Sequence, residues 1–324
     1  MAILERHAAN PILTRESIPA GSPLTDPSSV FNPGAVHHEG LYQLLLRVQT
    51  RSRRTAWLRA TSLDGIAFDV HPEPAELRGL DRIPGAVHHV YDPRITRVDD
   101  RLFVLAAIDL DTECRLGLFE TADLQRFEFR GLCSDEENRN GVLFPERIGG
   151  RYARLDRPNR VHRADRPPTG DAIRLSFSDD LLVWEPAAIV AEGRPRLWDE
   201  LIGPGPPPLL TSHGWLVLYH GIATHPGALN IYQAGVLLLD ATDPSSVVGR
   251  ADANVLEPRM PYEIAGQVPN VVFPSGWVVS PEPRPDPGAA TASDDARVHV
   301  YYGAADTCVG LATARVGDLV EACR

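Results

Sequence analysis

Apolar residues along this chain come in short runs, such as Leu41-Tyr42-Gln43-Leu44-Leu45-Leu46, Leu102-Phe103-Val104-Leu105 and Trp215-Leu216-Val217-Leu218-Tyr219. Polar stretches rich in Gly and Pro separate them. Short apolar runs bounded by turn residues read as strands, and long helical periodicities are scarce, so the pattern predicts an all-β fold. A weak repeat overlies it. Short polar turns leading to an aromatic or apolar position recur at Ser62–Phe68, Thr121–Phe127, Ser178–Trp184, Ala241–Val247 and Arg315–Leu319. A spacing of about 60 residues accommodates one four-stranded blade with its loops. Five units predict a five-bladed β-propeller, with a Greek-key sandwich as the structural alternative.

In a propeller the first strand of each blade lines a central funnel. The segments opening the units are Phe31–Gly34, Tyr91–Arg94, Leu143–Glu146, Gly203–Pro208 and Pro269–Pro274. They set Asn, Asp, Arg and Glu in apolar surroundings, as a polar site on an apolar scaffold requires. Asp92-Pro93-Arg94 stands out among them. Proline pushes the residue before it toward extended or turn backbone, and Ile95-Thr96-Arg97-Val98 alternates like a strand. Asp92 therefore sits where a loop enters a strand, a suitable place for a catalytic acid. Taken alone, Asp-Pro is simply a turn starter. The Pro-, Asp- and Arg-rich stretches 158–170 and 280–295 read as surface loops. Residues 1–10 read as a short N-terminal extension of a single domain spanning 1–324.

Charge and composition narrow the function classes. The net charge is −11, which argues against non-specific nucleic-acid binding. All basic residues are arginine, so an individual arginine carries less functional weight than usual. The four cysteines, Cys114, Cys133, Cys308 and Cys323, form no CxxC pair and read as free thiols of a reducing compartment. The N-terminus lacks the apolar core of a secretory signal, and no apolar run is long enough for a transmembrane helix. A soluble cytoplasmic protein is the expectation. The echo of Gly34-Ala35-Val36-His37-His38 in Gly85-Ala86-Val87-His88-His89 suggests no metal site, because adjacent strand residues point to opposite faces. Gly203-Pro204-Gly205-Pro206-Pro207-Pro208 lacks the Lys-Ser/Thr and helix of a phosphate loop.

The ordered set Asn32-Pro33-Gly34-Ala35, Ser62-Leu63-Asp64-Gly65, Asp92-Pro93-Arg94, Leu143-Phe144-Pro145-Glu146-Arg147-Ile148-Gly149-Gly150-Arg151-Tyr152, Leu155-Asp156-Arg157-Pro158, Pro207-Pro208-Leu209-Leu210-Thr211, Gly214 to Gly221 and Tyr301-Tyr302-Gly303-Ala304-Ala305-Asp306-Thr307 resembles glycoside hydrolase family 130. That family comprises β-mannoside phosphorylases and related β-mannosidases, and the resemblance runs from about Asn10 to Thr313. It implies a five-bladed propeller, in agreement with the repeat.

The resemblance also implies roles. Asp92 is the general acid, acting through a sugar hydroxyl. Asn32, Arg47, Asp64, Arg94, Glu263 and Asp306 bind the β-mannoside. Arg139, Asn140, Arg157 and His220 bind inorganic phosphate, the co-substrate; no other cofactor and no metal is implied. The chemistry fits these types. Cleaving a glycosidic bond needs a proton on the leaving oxygen. An inverting hydrolase needs a second carboxylate to activate water, whereas a phosphorylase needs a cationic cradle, for which arginine forks suit phosphate. One position departs from the family pattern: Leu201 stands where phosphorylases usually place a lysine. Inverting phosphorolysis yielding α-mannose 1-phosphate is the leading expectation. Hydrolysis is the alternative, with Glu263, Asp199 and Asp306 as candidate bases, and a non-catalytic carbohydrate-binding propeller is a third. Family members are often oligomeric, which makes a homo-oligomer possible.

Overall fold

The computed structural model describes residues 3–163, 166–225, 229–280 and 291–324. Five small antiparallel sheets follow one another around a ring, and the expectation of a five-bladed propeller is met. The first blade comprises strands Pro27–His38, Leu41–Thr50, Thr55–Ser62 and Asp69–Pro74. The second comprises His89–Val98, Arg101–Asp109, Cys114–Thr121 and Arg126–Leu132, with Glu76–Arg78 added in parallel outside. The third comprises Asn138–Leu143, Tyr152–Pro158, Ala172–Ser178 and Glu185–Glu192. In the fourth, Leu201–Pro204 and Leu209–Thr211 both pair with Gly214–Ala223, followed by Ile231–Leu239 and Val247–Arg250. The fifth comprises Val272–Val279, Arg297–Ala304 and Cys308–Arg315.

The N-terminal stretch is not an extension. Glu5–Arg6 pairs with Thr313 and Ala312 as the outermost strand of the fifth blade, and Leu4 is fully buried against it. The two ends of the chain thus close the ring. The last expected turn, Arg315–Leu319, is a helix start instead, because the fifth blade takes its outer strand from the N-terminus and needs no turn there. The expected loop 158–170 contains a hairpin, Val161–Arg163 with Arg166–Thr169. Of the expected loop 280–295, residues 281–290 lie outside the described residues.

The middle strands read as unbroken apolar runs because both of their faces are buried. Five apolar clusters fill the gaps between neighbouring blades. Val30, Leu44 and Leu46 meet Val278 and Tyr301; Leu45 and Trp57 meet Val104 and Phe127; Phe103 and Leu105 meet Leu143 and Trp184. Val142 and Leu155 meet Trp215 and Val217, and Leu218 and Val236 meet Val272 and Val300. Burial of this much apolar surface is the main driving force for folding.

Two local devices repeat around the ring. In the innermost strands of the first three blades the register slips at Phe31/Gly34, Tyr91/Arg94 and Arg139/Val142. Each slip is a bulge over Asn32-Pro33, Asp92-Pro93 or Asn140-Gly141. Its first residue has left-handed backbone, with φ of 45°, 53° and 59°, a conformation that Asn and Asp tolerate better than other side chains. Where the second residue is proline it has no N–H to leave unpaired. At the outer turns, Ser62, Thr121 and Ser178 each accept backbone N–H groups, and Asp64, Asp123 and Asp180 do likewise two residues on. The repeat seen in the sequence is this turn.

Candidate active site

The bulges aim their first side chains into a cavity of about 1010 Å³ at one mouth of the funnel. Asn32, Arg47, Asp92, Arg139, Asn140, Arg157 and Asp306 all line it. Asp92 is the centre of one side of it. Its Oδ1 accepts from Asn32 Nδ2 at 3.0 Å and from Arg47 Nη1 at 2.8 Å. The Arg47 guanidinium lies between the rings of Phe31 and Tyr91, 4.5 Å from each centroid, a cation–π sandwich that fixes the fork. Gly303 is required here: a Cβ on it would fall 1.9 Å from Asn32 Oδ1. Burial pushes the Asp92 carboxyl up, but Arg47 and Arg94 outweigh burial and hold it below the usual range. Asp306 goes the other way. Burial pushes it up to about 6, with Asp92 adding repulsion and Arg47 only partly compensating. Two carboxyl groups beside one arginine are thereby driven apart in acidity.

Arg94 does not line the cavity. It is buried beneath Asp92, where Nε donates to Gly205 O at 2.9 Å and Nη1 to the Asp92 carbonyl at 3.3 Å. It ties the second blade's bulge to the fourth blade. Burial lowers its affinity for its proton to a pKa of about 10, against the pull of Asp92.

The other side of the cavity is cationic. Arg157 is buried, has no carboxylate partner among the described residues, and is lowered to about 10 by burial and by Arg139. Arg139 Nη2 stands 3.9 Å from Asp109 Oδ1, beyond hydrogen-bond reach. His220 lies directly behind this wall, fully buried, its ring tilted by 39° against Phe273 at 4.6 Å between centroids. Neither of its ring nitrogens has a hydrogen-bond partner among the described residues. Burial, then Arg157 and Arg94, holds it well below the ordinary histidine range, so it is neutral. Gly203 lets these groups meet, since a Cβ there would come within 2.6 Å of the His220 ring and 2.9 Å of Arg157 Cδ. Leu201 is two residues from Gly203 on the same strand and so faces the same side.

Besides Arg94, two more predicted sugar contacts are placed away from the cavity. Asp64 is in an outer turn, its Oδ1 accepting from the backbone of Ile66 and Ala67 at 2.8 and 2.9 Å. Glu263 is fully buried outside the cavity. It takes both Arg6 nitrogens at 2.7 and 2.8 Å, Tyr302 OH at 2.8 Å and the backbone of Arg259 and Met260 at 2.8 and 3.0 Å. Every lone pair is used in latching the ring closure. Asp199 is likewise consumed by Arg194, Arg250 and Tyr219. Of the three candidate bases, only Asp306 lines the cavity. The segment Leu143–Glu146, expected at the site, runs past it: Pro145 and Glu146 line a separate cavity elsewhere on the surface. Residues not foreseen include Asp109 and Tyr232, which carry no local signal; Tyr91 and Phe273 line the cavity within two of the segments expected at the funnel.

Comparison with known proteins gives a consistent result. The glycoside hydrolase 130 family model, described as β-1,4-mannooligosaccharide phosphorylase, matches residues 3–324. A β-1,4-mannooligosaccharide phosphorylase of Ruminococcus albus is 31% identical, covering 98% of this chain and 90% of its own. A 1,2-β-oligomannan phosphorylase of a Thermoanaerobacter species is also 31% identical, over 98% and 99%. The structure of the β-1,2-mannobiose phosphorylase of Listeria innocua, in complex with β-1,2-mannobiose, superposes with a TM-score of 0.79 over 99% of both chains. At 23% identity it bears on the fold alone.

Proposed function

The chain belongs to glycoside hydrolase family 130, and from that premise we propose that it cleaves a β-mannosidic bond with inorganic phosphate, inverting the anomeric carbon to give α-mannose 1-phosphate. The observation that carries this reading is the anion-deficient wall beside Asp92. A buried arginine without a counter-charge is costly, and phosphate supplies the charge that Arg157 lacks and a close acceptor for Arg139, whose carboxylate neighbour Asp109 stands at 3.9 Å. Asn32, Arg47 and Asp306 hold the mannosyl ring, with Asp92 as proton donor. Phosphate attacks from the opposite side, held by Arg139, Asn140 and Arg157, with His220 and Arg94 as the supporting layer. The bond from the anomeric carbon to the leaving oxygen breaks, the bond to phosphate oxygen forms, and the leaving oxygen takes the proton.

Arg47 and Arg94 keep Asp92 ionised, which is the wrong state for an acid. A sugar hydroxyl entering between Asp92 and Arg47, and a phosphate lying near Arg94, both weaken the positive field on the carboxylate. Its proton affinity rises when both substrates are bound, so the acid is armed only in the ternary complex.

Leu201 favours a second reading, hydrolysis. It puts an apolar side chain on the face where the family usually has a lysine, and Asp306, at about 6, has the basicity to activate water. Product analysis separates the two. β-1,4- and β-1,2-mannobiose and mannosyl-glucose are each incubated with and without phosphate. Mannose 1-phosphate formed only with phosphate supports phosphorolysis; free mannose at a phosphate-independent rate overturns it.

A further inference from the structure

Tyr91 touches both halves of the cavity. Its ring face lies against Arg47, 4.5 Å from the guanidinium carbon. Its hydroxyl donates to Asp109 Oδ1 at 2.8 Å, with Cys114 Sγ at 3.5 Å on its other side. Asp109 Oδ1 is also the oxygen nearest Arg139, at 3.9 Å. A tyrosine and an arginine thus compete for one carboxylate oxygen, and the tyrosine holds it. A movement of about 1 Å would close the remaining gap to a direct, charge-assisted bond. Arg139 would then be neutralised from inside the protein.

We propose that Tyr91 is a positioning residue that restrains Asp109 so that Arg139 stays open to an anion. This rests on the phosphorylase reading above, since the anion in question is inorganic phosphate. The restraint is selective by construction. The hydroxyl governs the phosphate side, while the ring governs Arg47 and the sugar side. Removing the hydroxyl alone lets Asp109 swing onto Arg139 and compete with phosphate, and leaves the Arg47 sandwich in place. Removing the Asp109 charge removes the competitor, and the hydroxyl then has nothing left to restrain.

The test is equilibrium binding of inorganic phosphate by calorimetry to the wild-type chain, Tyr91→Phe, Asp109→Asn and the double variant, each checked for native circular dichroism. The expected results are a three- to tenfold weaker affinity for Tyr91→Phe, an affinity equal to or above wild type for Asp109→Asn, and a double variant indistinguishable from Asp109→Asn. The KM of Tyr91→Phe for whichever mannobiose is turned over stays within twofold of wild type. Wild-type affinity in Tyr91→Phe, or the same weakening when the substitution is made in the Asp109→Asn background, overturns the proposal. So does weakened binding by Asp109→Asn, which does not depend on the tyrosine variant folding. A wild-type chain that binds no phosphate and releases free mannose instead defeats the phosphorylase reading itself, a result distinct from any pattern among the variants.

Discussion

Asp92 and Asp64 are the same residue type, each in a short polar segment beside a strand, and the structure gives them opposite lives. Asp92 sits in an inner bulge and accepts from the side chains of Asn32 and Arg47. Asp64 sits in an outer turn and accepts chiefly from backbone N–H groups. A side-chain donor can be displaced by a sugar hydroxyl, because both can rotate away and be satisfied elsewhere. A backbone donor in a tight turn cannot. What separates the cavity carboxylate from the turn carboxylate here is the kind of donor it holds, more than its burial or charge. Glu263 adds a second criterion, free lone pairs: the side chains of Arg6 and Tyr302 and the N–H groups of Arg259 and Met260 together use all of its own.

The comparison is sharpened first at Asp92. Asp92→Asn keeps the shape and loses the proton, so turnover should fall by about 10²–10⁴-fold, while the melting temperature falls modestly, because the amide oxygen still accepts from Arg47 but the ion pair is lost. A variant retaining a tenth of wild-type turnover would remove Asp92 from the acid role. Glu263→Ala should do the reverse. Leaving half-buried Arg6 and the Tyr302 hydroxyl without their carboxylate costs about 3 kcal/mol of stability, read by urea unfolding, with the mannoside KM of the folded fraction unchanged. A raised KM with normal unfolding would make Glu263 a sugar contact after all. Arg157→Met falls between these: the phosphate KM should rise by about one to two orders of magnitude for a lost charge-assisted contact, yet the chain should unfold no more easily, since an unpaired buried charge is removed. Asp306 adds a pH signature. Its carboxyl is raised to about 6 in the fold, so the stability tied to its proton is complete below the unfolded carboxylate range and is lost as pH climbs through about 6. Asp306→Asn should therefore gain melting temperature relative to wild type between pH 5 and pH 7.5, and a constant difference would contradict the shift.

Much of this was readable from residues. Short apolar runs signalled strands, and turns of similar pattern at about 60-residue spacing, three of them Ser/Thr-x-Asp, pointed to the blade repeat. Asn32 and Asp92 stood out as polar residues in the apolar segments that open the units, and Asn140 came through the family resemblance; that all three sit in left-handed bulges was seen only in the fold. The misplacements have physical reasons too. The Asp64 turn satisfies the same residue preference as a site, and only three-dimensional donors separate the two. The side-chain partners of Glu263 are 257 and 39 residues away in sequence, so the nearby chain does not show that its lone pairs are spent. The closing strand at Glu5–Arg6 is too short to carry any periodicity. Asp109 entered the site through a tyrosine hydroxyl, a contact with no sequence signature.

The smallest effect is the most direct probe of the donor rule. Asp64→Ala removes two backbone-to-carboxylate bonds in an exposed turn, for a loss of about 1 kcal/mol, with kcat and both KM values unchanged. The pH dependence gives the effect a fingerprint. Backbone N–H groups of Ile66 and Ala67 hold the Asp64 carboxyl below its ordinary value. A depressed carboxylate contributes stability above its unfolded range and loses it as pH falls through its folded value. The stability gap between wild type and Asp64→Ala should therefore be full at neutral pH and shrink in acid. The same substitution at Asp123 and Asp180, whose carboxylates accept the equivalent backbone pairs, should give gaps of the same size. If Asp64→Ala alone raised the mannoside KM while the other two did not, the equivalence of the three turns would break, and the first blade's turn would have to be counted with the bulges as part of the site.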